Sequence, residues 1–371
     1  MYKSFLSSIV LLAALTAMVT AQSQVTDALE GLDPVMLVQG KEAQGDLKIT
    51  VTRGKFRYLF ANEANKAAFE KDPARYEIQL DGACARMGAP VTGIADLYAV
   101  HNGRIYIFGS EQCKTLFVAA PEKYLPPEHK PLKATPEALK KGAALLDKAV
   151  VAMGGATKID GLSSYQETST TTQTRGPQGE IVVKNNLRMT FPERVRLEIE
   201  MPGFNDPSVM MHQVMVLAGE PFVVNSSGKV FPLDGAQRVE QERQLQRKPL
   251  SILRARVGLK ATYLGAGKVG ETAVEQVAVE LAGAPVVLGF ETATGRLLSL
   301  SYQRHGPPQG AYGEFVQIFS DFRTVAGVTL PFKITAMFNG QLWKDQSSVI
   351  ETLTLNGELD AKLFEKPQVK Q

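Results

Sequence analysis

Sliding the chain against itself by 48 residues brings Tyr58-Leu59-Phe60 onto Tyr106-Ile107-Phe108, Glu63 onto Glu111, Phe69 onto Phe117, Pro73 onto Pro121 and Tyr76 onto Tyr124. Such spacing marks a duplicated supersecondary unit. Each copy opens on a Gly turn signal (Gly54, Gly103) and continues as a strand of large residues. Asn62 and Ser110 are side chains suited to cap a helix, and Pro73 and Pro121 close those helices about ten residues on. One unit of this size cannot bury its apolar face alone, so the copies are expected to share a core. This places a small duplicated strand-helix domain at residues 25–126.

The segment before the repeat sets the compartment. Met1 to Ala21 has a cation at Lys3, an apolar run from Phe5 to Met18 and the small-residue ending Val19-Thr20-Ala21, the layout of a cleaved signal peptide. No later stretch approaches the ~20 apolar residues of a membrane span. The mature chain is expected to be soluble and periplasmic, or otherwise secreted. Lys and Arg number 41 against 38 Asp and Glu, without clustering, so no footprint for nucleic acid is present. Two cysteines and four histidines exclude a disulfide-stapled scaffold and a zinc site of four Cys/His ligands close in sequence.

Asp33-Pro34-Val35, Gly40-Lys41, Tyr58 to Asn65, Phe69, Asp72 to Tyr76 and Gly82-Ala83-Cys84-Ala85 resemble the YHS domain of secreted bacterial proteins, over about residues 31–126. Related YHS modules bind soft heavy metals through a Cys-x-x-Met start and cysteines after the Tyr-x-Phe strand. The resemblance therefore implies a metal site at Cys84, Met87 and Cys113. Gly109 stands where metal-binding forms often carry cysteine, and the first copy has Asn65 where the second has Cys113. With Ser110 as N-cap, Cys113 falls in the first helical turn, where free amides favour a thiolate. Thiolate and thioether ligands would select Cu(I) or another soft ion. A Cys84–Cys113 disulfide and two buried thiols are the alternatives; closing that loop would stabilise by roughly 3 to 4 kcal/mol.

Pro126, Pro127, Pro131 and Pro136 mark a stiff joint at 127–135. Thr135 and Pro136 open a helix with Leu139, Ala143, Leu146, Val150 and Met153 on one stripe. Beyond Leu162, period-two alternation predicts about ten antiparallel strands. Val195, Leu197, Ile199 and Met201 alternate with Arg194, Arg196, Glu198 and Glu200. Phe332, Ile334, Ala336 and Phe338 form another row, and Val349, Leu353 and Leu355 a third. A later helix, about 236–257, carries Leu245, Leu250, Leu253 and Val257 on its apolar side and must kink or split at Pro249. Met210, Met211 and Met215 around His212 read as an adaptable pocket lining.

Phe319 to Phe322, Val325 to Ile334 and Leu363 to Pro367 resemble periplasmic lipoprotein carriers and outer-membrane lipoprotein-sorting proteins, over about 136–367. That resemblance implies an α+β chain in which the duplicated domain precedes an antiparallel half-barrel with helices on its concave side. Its apolar face, including Val195, Leu197, Ile199, Met201, Met215, Phe332, Ile334 and Phe338, would hold lipid or lipoprotein acyl chains. The motifs of nucleophile elbows, phosphate loops and zinc helices are missing, and Gly265-Ala266-Gly267 lacks the third glycine of a dinucleotide loop. The sequence reads as a non-enzymatic exported binding protein. A soft-metal handling protein and an interaction module for an envelope protein are the other readings.

Overall fold

The structure, a computed structural model, describes residues 25–127, 132, 134–175, 178–192, 194–281, 283–306 and 310–367. The expected signal peptide and most of the expected joint lie outside them. The described chain is mixed α+β and divides into two units. The first takes in residues up to 127 with 231–240, 304–306 and 310–312, and the second takes in the rest. No helix among the described residues is long and apolar enough to cross a membrane.

In the first unit, strand β1 (Thr26–Asp27) and helix α1 (Pro34–Val38) precede the hairpin β2 (Asp46–Arg53) and β3 (Phe56–Phe60), followed by α2 (Glu63–Lys71) and α3 (Pro73–Tyr76). Then come β4 (Ala83–Cys84), β5 (Gly88–Thr92), β6 (Ile94–His101), β7 (Arg104–Phe108) and α4 (Glu111–Ala119). The strands pair as β1-β3-β2 and β5-β4-β7-β6. Asn62 accepts from the Asn65 amide at 2.9 Å, and Ser110 accepts from the Cys113 amide at 3.2 Å. The register shift between Asp46 and Thr50 recurs between Ile94 and Tyr98, again 48 residues on. Gly54 and Gly103 both take positive φ, +56° and +67°, in the hairpin turns, which a side chain with a Cβ resists. Strand β7 joins two cores. Its Ile105 and Ile107 pack with Tyr58, Phe60 and Phe69, while its Tyr106 and Phe108 pack with Cys84, Phe117 and Tyr124.

The second unit begins with α5 (Pro136–Ala152) and α6 (Ala156–Asp160). Strands β8 (Ser164–Thr174), β9 (Glu180–Thr190), β10 (Arg194–Pro202), β11 (Met210–Leu217), β12 (Phe222–Val224) and β13 (Val230–Pro232) follow. Helices α7 (Gly235–Gln246) and α8 (Pro249–Ala255) separate these from β14 (Thr262–Val269), β15 (Thr272–Leu281), β16 (Ala284–Glu291) and β17 (Leu297–Gly306). The series ends with β18 (Ala311–Val325), β19 (Val328–Phe338), β20 (Gln341–Leu342) and β21 (Ser348–Leu355). All fourteen strands from β8 on form one sheet, ordered β13-β12-β11-β10-β9-β8-β21-β19-β18-β17-β16-β15-β14 with β20 beside β19. Its terminal strands β13 and β14 are not paired with each other, so the sheet is not closed into a barrel.

Several sequence expectations shift for local reasons. Strands β12, β13 and β20 span only two or three residues, too few to display an alternation, so about ten expected strands become fourteen. The expected helix over 236–257 is two helices, with Pro249 opening the second because it has no amide to donate. Val257 lies beyond both and is 89% exposed. A register shift between Ile350 and Thr352 turns Val349 outward and Ile350 inward beside Leu353 and Leu355. On α5 the buried stripe runs through Gly142, Leu146, Ala149 and Val150, and Ala143 is exposed.

The reason lies at Gly142, where an added Cβ would sit 2.3 Å from the Ala261 carbonyl oxygen. The helix reaches the sheet by having no side chain there. Gly142→Ala is expected to destabilise the protein by about 1–3 kcal/mol through overpacking, despite alanine's better helix propensity. Thermal unfolding of the two chains checks this, and an unchanged or raised Tm would refute the close approach.

Candidate functional site

The large sheet presents one candidate. The strand registers put Leu353, Glu167, Leu187, Leu197, Met215 and Val223 in one cross-strand row, on one face of β21, β8, β9, β10, β11 and β12. The next row along β8–β11 is Ser169, Asn185, Ile199 and Gln213. Phe319 pairs with Ile334, and Phe315 pairs with Phe338, farther along the sheet. The eight expected ligand-facing residues divide in two. Val195, Met201, Phe332 and Phe338 are buried, while Leu197, Ile199, Met215 and Ile334 remain half-buried. Three of the first group are met by the protein's own side chains. Trp343 meets Phe338 and Phe315 edge-on, each at 5.7 Å between centroids. Arg175 Nη2 lies 3.1 Å from Met201 Sδ, and the Arg323 guanidinium lies 4.5 Å from the Phe332 ring centroid.

A polar cluster interrupts this apolar face. The Tyr165 hydroxyl donates to Glu167 Oε2, and Lys248 Nζ reaches Glu167 Oε1 at 3.1 Å from the start of α8. Burial, with the Glu167 carboxylate beside it, holds the Tyr165 phenol well above its usual range. Arg247 stacks 3.6 Å over the Tyr302 ring, and Lys141 of α5 lies 3.6 Å over Tyr263. Glu167 leaves no mark in the local pattern, because a carboxylate inside a strand of Ser, Thr and Gln reads as solvent-facing.

The opposite face of β10 carries Arg196 and Glu198, as alternation predicts. Glu198 takes Arg188 at 2.9 Å and Arg196 at 2.5 Å; burial pushes its carboxyl up, but the hydrogen bonds and charges of the two guanidinium groups together hold it below its ordinary value. Arg196 also donates to the Leu363 carbonyl at 2.8 Å, so the C-terminal turn sits over this face. His212 and Met210 point to this side, whereas Met211 and Met215 point to the other, by strand alternation. They cannot converge on one ion. A separate depression of about 550 Å³ is lined by polar groups including Ser163, Thr190, Asn356 and Asp360.

The cysteines of the first unit make the second candidate. Both are buried free thiols, Cys84 at 0% and Cys113 at 7% exposure, rather than a disulfide. Their surroundings repeat those of another pair. Leu29-Glu30-Gly31 and Leu80-Asp81-Gly82, 51 residues apart, all have positive φ, and each triplet leads two residues on to a fully buried side chain, Asp33 or Cys84. Asp33 Oδ1 accepts from the amides of Val35 and Met36, at 2.8 and 3.2 Å, and Oδ2 from the Ala61 amide and Asn65 Nδ2, at 2.8 and 2.7 Å. Cys84 interacts with the backbone of Met87 and Gly109 and with the Cys113 thiol. These are the same positions, shifted by 51 or 48 residues. The first copy has three more residues between its triplet and its strand pair than the second, which hides the equivalence in the sequence.

Electrostatics separate the two sulfurs. The hydrogen bond from Cys84 pulls the Cys113 thiol down to about 5 against opposing burial, with help from the Ser110 hydroxyl and Arg86. The same shared bond and burial push Cys84 up. Arg86 Nη1 lies 2.9 Å from Met87 Sδ and 3.7 Å from Cys113 Sγ. A fixed cation thus stands among the three expected metal ligands. Among the described residues no group of three or more His, Cys, Asp or Glu could hold a metal ion, and the metal reading gains no support here. Near them, His305 Nε2 meets the Tyr124 carbonyl at 2.8 Å, and its ring fills the space beside Gly88.

No family model matches the chain, and no curated protein does. Solved structures similar to it include an outer membrane lipoprotein-sorting protein domain from Vibrio parahaemolyticus, at 9% identity and TM-score 0.41, covering 61% of this chain and 97% of that one. A LolA superfamily protein from Nitrosomonas europaea matches at 13% identity and TM-score 0.40, covering 61% and 97%. A DUF1329 family protein from Desulfovibrio piger matches at 14% identity and TM-score 0.40, covering 62% and 97%.

Burial lowers the His305 ring to about 4, outweighing the backbone groups of Tyr124 and Ala85 that favour its protonated form; Arg304 lowers it further and Glu240 opposes. Between about 4 and 6.5 the unfolded chain therefore takes up a proton that the folded chain refuses. This contribution is intact above pH ~6.5 and drains away as pH falls, by up to about 3 kcal/mol. His305→Gln is expected to flatten the slope of unfolding free energy in that window. Parallel pH profiles for the two chains would count against it.

Proposed function

We propose that this chain is an exported, periplasmic binding protein whose second unit holds a lipidic or other apolar ligand against the large sheet. The observation that carries the reading is the half-buried set Leu197, Ile199 and Met215 on adjacent strands, in a sheet whose Phe315 and Phe338 are met by Trp343. An acyl chain of about sixteen carbons gains on the order of 10 kcal/mol on leaving water, and an apolar floor gives it a place to go. Glu167 and Lys248, in and beside the same row, would mark where the polar end of such a ligand stops. In this reading the organisation is a signal peptide at 1–21, a YHS-like domain at 25–126, a joint at 127–135 and a carrier-like domain at 136–367. The chain carries its ligand without transforming it, and a lipoprotein or another envelope protein is the partner class.

Native mass spectrometry of the chain purified from a bacterial periplasm is expected to show an added lipid mass. Leu197→Glu, at a half-exposed position where folding tolerates the change, is expected to weaken binding of a fluorescent fatty acid by tenfold or more, about 1.4 kcal/mol or above. Absence of any lipid mass together with wild-type probe affinity in the Leu197→Glu chain would discard the reading.

A further inference from the structure

We propose that Cys113 is an oxidation site for small hydroperoxides and that Cys84 resolves it to a reversible intramolecular disulfide. This is independent of the lipid reading, since it concerns the first unit alone. Four observations carry it. The two thiols belong to one buried cluster and interact with each other there. Cys113 occupies the first turn of α4, capped by Ser110, where unpaired amides stabilise a thiolate. Arg86 stands 3.7 Å from the same sulfur and can neutralise charge on an incoming peroxide oxygen. Exposure sets the order of events: Cys113 is 7% exposed and Cys84 is fully buried.

The Cys113 thiolate attacks one peroxide oxygen; the S–O bond forms as the O–O bond breaks, leaving a sulfenic acid and an alkoxide. Cys84 then attacks Cys113 Sγ, displacing hydroxide and forming the S–S bond, and its proton goes to the alkoxide. One thiolate, one thiol and one hydroperoxide become a disulfide, an alcohol or water, and hydroxide. Sulfur loses two electrons and the peroxide gains them.

The duplicated unit argues that this pair is not needed for packing. At the equivalent position the first copy uses Asp33 and Asn65, which make the same connections with no redox chemistry. A Cys84→Asp, Cys113→Asn chain is therefore expected to fold and to ignore peroxide.

The test is exposure of the reduced full chain to hydrogen peroxide, read by intact mass and thiol alkylation. The wild type is expected to lose two hydrogens and both thiols. Cys84→Ser is expected to stop at a sulfenic acid on Cys113, captured by dimedone, and Cys113→Ser to slow thiol loss at Cys84 by tenfold or more. Isotope-coded alkylation of the wild type identifies the first sulfur to react without relying on either variant. Retention of both thiols in the native wild type, under peroxide that consumes them in the unfolded chain, overturns the proposal. So does first reaction at Cys84.

Discussion

A strand offers its side chains alternately to two sides, so a sheet of fourteen strands commits the chain to covering one continuous apolar surface. Fully burying one Val, Leu or Phe is worth about 1.5–3 kcal/mol. How that surface is covered therefore governs most of the second unit. Part of the cover is helical: α5 closes on Ala261 through Gly142, and the start of α8 reaches Glu167 through Lys248. Trp343 supplies another part over Phe315 and Phe338. Where neither reaches, Leu197, Ile199 and Met215 are left half-buried. The ion pair at Glu167 sits between these regimes. Removing Lys248 would strand a nearly buried carboxylate, which is why such a pair constrains where the helix can start.

The first unit rests on a different device used twice. In each copy a buried acceptor beneath the start of a helix collects backbone amides from a preceding turn and from the strand-to-helix corner. In one copy the acceptor is a carboxylate joined to an amide side chain. In the other it is a pair of thiols. Partial positive charge at a helix start suits either acceptor. The geometry is shared, with the positive-φ triplets at Leu29 and Leu80 bringing Asp33 and Cys84 to equivalent places.

Much of this was legible in the chain itself where punctuation is strong. Gly54, Gly103, Asn62, Ser110, Pro73 and Pro121 announce the repeat because turns, caps and helix ends tolerate few residue types. The row along β10 was legible from alternation alone. Other features depend on one-residue accidents that patterning does not register. A bulge at Ile350 exchanges Val349 for its neighbour, and an offset of 51 instead of 48 conceals the relation of Asp33 to Cys84. Side chains paired through the fold, such as Glu167 with Lys248 across 81 positions, leave no local trace. The placement of Arg86 beside Met87 and Cys113 likewise depends on tertiary packing, which no local pattern records.

An unclosed sheet carries two rims of unsatisfied amides and carbonyls, each a template on which another chain could add a strand. Strand β13 is only three residues long and ends in Pro232, which has no amide to offer. Strand β14 is broken by a register irregularity between Tyr263 and Gly265, bears glycines at 265 and 267, and places Lys268 toward its end. Short length, a missing donor, a twist and a charge are all ways of blunting a rim. A protein built this way can keep its sheet open without polymerising edge to edge in a crowded compartment.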